Sequence, residues 1–376
     1  MTTELLGGIT PRQFLAEYWQ KKPLLIRQAI PGFTGVLDLD ELFELACDED
    51  VESRLIRHHA AKGWQVTRGP QKAYALEDRK QPWTVLVQGL NLWVREADEL
   101  LHRFDFIPQA RLDDLMVSYA TDGGGIGAHF DSYDVFLLQG FGKRLWRIGD
   151  QTEHTLLEGA PLKLIADFRP TEEWVLEPGD MLYLPPRYAH EGTAIGECTT
   201  YSIGFRAPQA RELGAGFLSW LAERVDLPGM YADPDLVQQD NSAQIGDAMV
   251  DRVTEMLNAI RWSREDVAAF LGDYLSEPKP TVFFVPPDEP LTRKDFATAV
   301  TAHGFMLDPA TLLLFRDGRF HLNGERLDIG TAEPALLAAL AHARRTPAGL
   351  APTDATLDLL YRLYCDGLGV PDQPED

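Results

Sequence analysis

From Leu115 to Phe205 the chain alternates short β-rich runs with glycine and proline turns, and that texture leaves few architectures open. Met116-Val-Ser-Tyr119 reads as a strand, glycines crowd 123–127, and a strand over Phe130–Gln139 follows. Gly140-Phe-Gly142 is read as a turn from which Lys143–Ile148 returns as the hairpin partner. Trp174-Val-Leu176, Met181–Leu184 and Cys198–Phe205 complete the set, and Glu177-Pro-Gly-Asp180 fits a type II turn. Many short antiparallel strands joined this way predict an all-β barrel or jelly roll.

Chemistry concentrates at the mouth of one apolar run, Gly123-Gly-Gly-Ile-Gly-Ala-His129-Phe-Asp131. In a strand, residues two apart share a face, so His129 and Asp131 converge while Phe130 turns away. A carboxylate buried without a partner among Phe130, Val135 and Phe136 would be costly, and a metal removes that cost. One imidazole beside one carboxylate suits non-haem Fe(II), which needs a second histidine and keeps its remaining positions open. His190, after Tyr183-Leu-Pro-Pro186, is the candidate. Such a centre can take a 2-oxo acid through two positions and O2 through a third. The far carboxylate of that acid then needs a cation and a hydroxyl. Lys143, Arg144 and Arg147 lie on the next strand, and Ser118 and Tyr119 on the strand before the glycines. Arg144 offers a bidentate fork that Lys143 does not, but residue type alone does not select it.

Outside this region the chain is mixed. A helix is predicted over Pro11–Gln20 behind the Thr10 cap, then a strand at Leu24–Ile26, a helix over Asp38–Cys47 and another over Glu96–Phe104. After Ala207-Pro208 come helices over Gln209–Asp226 and Asn241–Ala259, and a third from the Ser263 cap through Tyr274. A proline-rich linker spans 278–290. Helices plus turn signals at Asp317-Gly318 and Asn323-Gly324 then resemble a winged helix. The domains expected are 1–208, 209–277 and 278–376. Net charge is -23, divided as -10 up to residue 208 and -13 after it. Such a surface repels nucleic acid and attracts basic partners. Three scattered cysteines make no disulfide framework, no run is long enough for a membrane span, and the N-terminus does not read as a signal peptide. A cytoplasmic protein is expected.

Four segments carry a family resemblance: His129-Phe-Asp131, Gln139-Gly-Phe-Gly-Lys-Arg-Leu-Trp-Arg147, Pro178–Pro186 with His190, and Tyr201-Ser-Ile-Gly-Phe-Arg-Ala-Pro208. Together they resemble the JmjC-type 2-oxoglutarate oxygenases, and more narrowly the bacterial ribosomal oxygenases. Phe14–Ile26 is also similar to that group. The resemblance implies a double-stranded β-helix (jelly roll, cupin/JmjC) core with flanking helices, a helical dimerisation region and a C-terminal winged helix. It implies Fe(II) held by His129, Asp131 and His190, and 2-oxoglutarate contacted by Ser118 and Arg144, with O2 as second cosubstrate. The activity implied is C3 hydroxylation of an arginine in the sixteenth large-subunit ribosomal protein, by a homodimer. Asp122, Tyr133 and Asp134 lie near the metal in sequence and are candidates to hold a guanidinium.

Other readings compete. A histidyl hydroxylase or a JmjC demethylase of another basic protein would use the same centre. A metal-dependent cupin enzyme without 2-oxoglutarate would need only the metal ligands. A winged-helix regulator with a metal-sensing barrel belongs to another class; the charge of -13 after residue 208 opposes it, because duplex binding needs basic contacts.

Overall fold

The computed structural model describes residues 2–59, 63–153 and 155–372. The chain forms two compact units, residues 1–207 and 208–376.

The first unit holds eleven strands among the described residues: β1 (Leu24–Ile26), β2 (Ser53–His59), β3 (Gly63–Arg68), β4 (Trp83–Val87), β5 (Leu112–Ala120), β6 (Val135–Gln139), β7 (Lys143–Gly149), β8 (Glu172–Leu176), β9 (Met181–Leu184), β10 (Ala189–Ile195) and β11 (Cys198–Phe205). An eight-stranded sheet runs β1-β9-β6-β11-β5-β4-β2-β3, and a three-stranded sheet runs β10-β7-β8. Every pairing is antiparallel. On one face of the large sheet Leu115, Val117, Tyr119, Phe136, Leu138, Tyr201 and Phe205 pack with Phe14, Leu42 and Leu101 from helices Pro11–Glu17, Leu39–Cys47 and Arg95–His102. On the other, Val135, Leu137, Leu182 and Leu184 meet Trp146, Ile148 and Leu176 of the small sheet. The run Val135–Leu138 is apolar throughout because both faces of β6 are buried.

Two expectations about this region are corrected. The strand expected over Phe130–Gln139 begins at Val135; His129 makes an isolated bridge to His190, and 130–134 is irregular. Lys143–Ile148 is not the hairpin partner of β6. β6 pairs with β9 and β11, whereas β7 pairs with β10 and β8. Gly140-Phe-Gly142 instead carries the chain from one sheet to the other around the start of β11. Gly140 N–H donates to Thr199 O at 3.0 Å, and Thr199 N–H to Phe141 O at 3.1 Å. Two glycines flanking one residue serve a crossover as well as a turn, so local sequence does not separate them. β10 had no place in the sequence reading. Its residues, Ala189-His-Glu-Gly-Thr-Ala-Ile195, are mostly small or polar and give no apolar alternation.

The second unit opens with helices Ala210–Ala222, Asp247–Leu257 and Arg264–Ser276, the last with a reciprocal Ser263–Asp266 capping box. Helices Arg293–His303, Pro334–Ala343 and Asp354–Cys365 then pack around β12 (Phe305–Leu307), β16 (Gly369–Pro371) and the meander β13 (Leu313–Arg316), β14 (Arg319–Leu322) and β15 (Glu325–Leu327). Both meander turns fall where the sequence places them. Asp317-Gly318 and Asn323-Gly324 take positive φ at both residues, which matches the strands' right-handed twist. No helix of the described residues is long and apolar enough to cross a membrane.

Candidate metal centre

The glycine-rich segment lies along the free edge of β10. Gly123 N–H donates to Ala194 O at 3.1 Å and Ala194 N–H to Gly124 O at 2.9 Å. His129 and His190 exchange backbone bonds of 3.0 and 2.8 Å. A Cβ at Gly125 would collide with the carbonyl of Gly192, so only glycine permits this approach. At Gly127, φ is +89° and a Cβ would fall 2.7 Å from the Trp64 ring. Asp131 is held from its other side, where its carbonyl accepts from Arg187 N–H at 2.6 Å.

This framework brings His129, Asp131 and His190 together, with one donor atom from each within 4.8 Å of the others. It is the only such cluster among the described residues. The imidazoles are 4.3 Å apart between ring centroids, and His190 Nε2 lies 3.6 Å from Asp131 Oδ2. His129 Nδ1 is 2.9 Å from Gly127 O and His190 Nδ1 is 2.9 Å from Tyr188 O. A carbonyl only accepts, so each Nδ1 carries the proton and each Nε2 presents its lone pair. Burial, and then the neighbouring His129, push His190 down to about 4. It therefore stays neutral at physiological pH, as a ligand must be. Two imidazole nitrogens and one carboxylate oxygen on one side form the donor set of a non-haem Fe(II) site with open positions.

Deeper in, burial separates the three cations that residue type left level. Along β7, Arg144, Trp146 and Ile148 are buried, whereas Lys143 is exposed. Lys143 pairs with Glu177, and Arg147 with Glu173 and Glu191. Among the described residues Arg144, 3% exposed, makes one hydrogen bond, from Nη1 to Ser118 Oγ at 3.3 Å, while its Nε and Nη2 have no partner. A buried guanidinium without a counter-ion is expensive, and a ligand carboxylate would relieve it. Tyr119, the alternative hydroxyl, belongs to the helix-side core, and Ser118 faces the other way. Ala194 pairs with Arg144 and His190 with Ile148, four residues or about 13 Å apart along β10. An arginine side chain and a five-carbon diacid between them fill that span. The residues present thus fit both Fe(II) and 2-oxoglutarate.

The three substrate candidates separate. Asp134 is corrected: it is fully buried, and its carboxylate accepts from Tyr183 Oη at 2.6 Å and Gln20 Nε2 at 2.9 Å and faces Arg111 at 3.5 Å. It braces the segment that carries Asp131 and is closed to a substrate. Asp122 accepts from Gly196 N–H at 2.7 Å in a turn at the surface. Tyr133 stands beside the metal ligands, half exposed. Its phenol is pushed up by burial and then by Asp131, Asp114 and Asp113. Asp113 and Asp114, at the start of β5, escaped the sequence reading. Asp114 and Tyr133 meet at Gly204: a Cβ there would lie 3.6 Å from Asp114 Oδ1 and 4.0 Å from the Tyr133 ring. The signal was Asp-Asp two residues before the strand Met116–Tyr119, but nothing local ties it to a metal 15 residues on.

Two packed sheets, a three-donor centre at their mouth and an unpaired buried arginine beyond it make the arrangement of an Fe(II)- and 2-oxoglutarate-dependent oxygenase of the JmjC type. The family model for the JmjC domain matches residues 99–213, and that for the ROXA-like winged helix matches residues 259–368. The chain is 34% identical over 323 residues to the ribosomal protein uL16 3-hydroxylase of Escherichia coli strain K12, covering 84% of each. It is 40% identical over 232 residues to a probable ribosomal oxygenase of Haemophilus influenzae, covering 61% of this chain and 55% of that one. The X-ray structure of E. coli YcfD matches with a TM-score of 0.84 at 32% identity, covering 96% of this chain and 98% of that one. YcfD in complex with cobalt and 2-oxoglutarate matches with a TM-score of 0.81 at 31% identity. The chain belongs to the ribosomal oxygenase family.

Proposed function

We propose that this protein hydroxylates C3 of an arginine in ribosomal protein uL16, using Fe(II), 2-oxoglutarate and O2. The observation that carries the cosubstrate is Arg144, a buried cation that lacks an anion beside a three-donor centre. The relative named a uL16 3-hydroxylase, similar over 84% of both chains, supports the substrate. Bound together, metal and cosubstrate supply the oxidation: one oxygen atom of O2 enters the substrate C–H bond, the other enters succinate, and CO2 leaves.

The protein's own residues bind, orient and exclude water. Gly127 O and Tyr188 O hold the protons on Nδ1 of His129 and His190, which fixes both ring tautomers. Arg144, hydrogen-bonded to Ser118, would hold the far carboxylate of 2-oxoglutarate together with that hydroxyl. Val135, Leu137, Leu182 and Leu184 keep the space between the sheets dry. Asp114, which also accepts from Gln88 Nε2 at 2.6 Å, and the Tyr133 ring flank Gly204 and suit a guanidinium, by charge and by cation–π contact. No side chain needs to act as general base. The unit after residue 208 is read as a dimerisation region (209–277) and a winged-helix domain (278–376). Met249, Val250 and Val253, exposed on helix Asp247–Leu257, support a homodimer. The charge of -13 supports a winged helix that does not bind duplex nucleic acid, and a ribosomal substrate supports a cytoplasmic location.

The test is a reaction of the purified chain with Fe(II), 2-oxoglutarate, air and a uL16 fragment. Succinate should form in step with a +16 Da product whose fragment ions place oxygen on an arginine. Succinate release with a +16 Da histidine would favour the histidyl reading, and formaldehyde from a methylated peptide the demethylase. No dependence on 2-oxoglutarate would leave a different cupin chemistry.

A further inference from the structure

Trp146 is a donor that the site described so far leaves idle. Its indole Nε1 is buried and has no hydrogen-bond partner among the described residues, and the residue is 5% exposed. It lies on the same face of β7 as Arg144, two residues along. Its ring is 5.8 Å from the Arg144 guanidinium carbon and 5.9 Å, between centroids, from the His190 ring. The indole thus spans the stretch between the cation and a metal ligand, where a bound diacid would lie.

The opposite strand shows how the ring is turned. Gly192 pairs directly with Trp146, and a Cβ on it would fall 2.8 Å from both Cη2 and Cζ3 of the indole. Those atoms belong to the six-membered ring, so that ring, rather than the pyrrole nitrogen, meets Gly192. The same Cβ would lie 3.1 Å from Arg144 Cδ. Glycine at 192 therefore lets both donors settle over one strand. An indole N–H can only donate, and a desolvated donor with no acceptor is a standing penalty that phenylalanine would avoid in the same apolar setting of Leu176 and Leu182. Three orphaned donors, one on Trp146 and two on Arg144, are better matched by a ligand rich in acceptor oxygens than by empty space.

We propose that Trp146 donates its indole N–H to bound 2-oxoglutarate and is a further residue determining affinity for that cosubstrate. The proposal rests on the reading of the chain as a 2-oxoglutarate oxygenase. The test compares full-length wild type with Trp146→Phe, both loaded with Mn(II), by calorimetric titration with 2-oxoglutarate. The phenylalanine keeps one aromatic ring and loses the donor together with the volume of the pyrrole ring. The variant should bind 2-oxoglutarate about tenfold or more weakly, with Mn(II) affinity near that of wild type. Equal 2-oxoglutarate affinity overturns the proposal, as does a parallel loss of Mn(II) affinity, which would mark a packing role. A second readout needs no folded variant. In Zn(II)-loaded wild type, 15N-labelled at tryptophan, one indole N–H resonance should move downfield as 2-oxoglutarate is added. Calorimetric binding with no indole shift defeats the Trp146 proposal alone. No binding by wild type defeats the oxygenase reading and this proposal with it.

Discussion

Replacing Arg144 by methionine should make the ligand-free protein more stable while abolishing the stabilisation that 2-oxoglutarate confers. The guanidinium is 3% exposed, with one hydrogen bond and two idle donors. Each orphaned donor costs about 1–3 kcal/mol, and the unpaired charge adds to that. Methionine fills much of the volume and carries no charge. Ser118 keeps its 3.4 Å contact to Thr200 O, so no new orphan arises. Exchanging buried ions for packed apolar groups gains about 1–4 kcal/mol in comparable cases. At about 2–4 °C per kcal/mol for a unit of this size, 2 kcal/mol is a rise of roughly 4–8 °C. In wild type loaded with Mn(II), 2-oxoglutarate at about 100 times its Kd should add about 2.7 kcal/mol, and in the variant nothing. Differential scanning calorimetry of both proteins, with and without 2-oxoglutarate, reads both effects. A ligand-free variant less stable than wild type, or one still stabilised by 2-oxoglutarate, would refute the assignment of Arg144 as a cation waiting for a carboxylate.

Asp134→Ala should cost about 1–3 kcal/mol in urea denaturation, because it takes the acceptor from the buried Tyr183 hydroxyl and the partner from the partly exposed Arg111 and the exposed Gln20, whereas Asp134→Asn should cost less. His190 has its pKa depressed to about 4 from 6.5 by burial and then by His129. The unfolded chain therefore binds a proton before the folded one does. This contribution to stability is whole above pH 6.5 and declines as pH falls toward 4, by about 3 kcal/mol in all. The urea midpoint of metal-free wild type should fall more steeply over that window than that of His190→Gln. Gly192→Ala pushes a methyl group against the Trp146 ring and Arg144 Cδ, and should raise the KM for 2-oxoglutarate at least tenfold with Mn(II) affinity near wild type.

The cluster of His129, Asp131 and His190 is legible because a metal site follows a short-range rule. His129 and Asp131 are two apart, and His190 follows a stiff Pro-Pro approach. The resemblance to a known family supplied what spacing could not, namely Arg144 among three neighbouring cations. Its selection depends on which cations have carboxylates across the sheet, Glu177 for Lys143 and Glu173 and Glu191 for Arg147, and that pairing is non-local. The same limit explains Asp134. Next to Asp131 in sequence it looked like a site residue, but its partners Gln20, Arg111 and Tyr183 lie 114, 23 and 49 residues away. Local turn chemistry was read well at Asp317-Gly318 and Asn323-Gly324, where the residue types leave little choice. It misled at Gly140–Gly142, where sheet membership, not the turn, decides the partner.

The most direct test of the central claim uses ribosomes rather than the purified chain. Intact-mass and peptide mass spectrometry would compare ribosomal proteins from cells of the source organism with this gene present and deleted. Arginine hydroxylation of uL16 predicts a +16 Da shift on one uL16 arginine, present with the gene, lost on deletion, restored by wild type and not by Asp131→Ala. A uL16 of identical mass in both strains would contradict it.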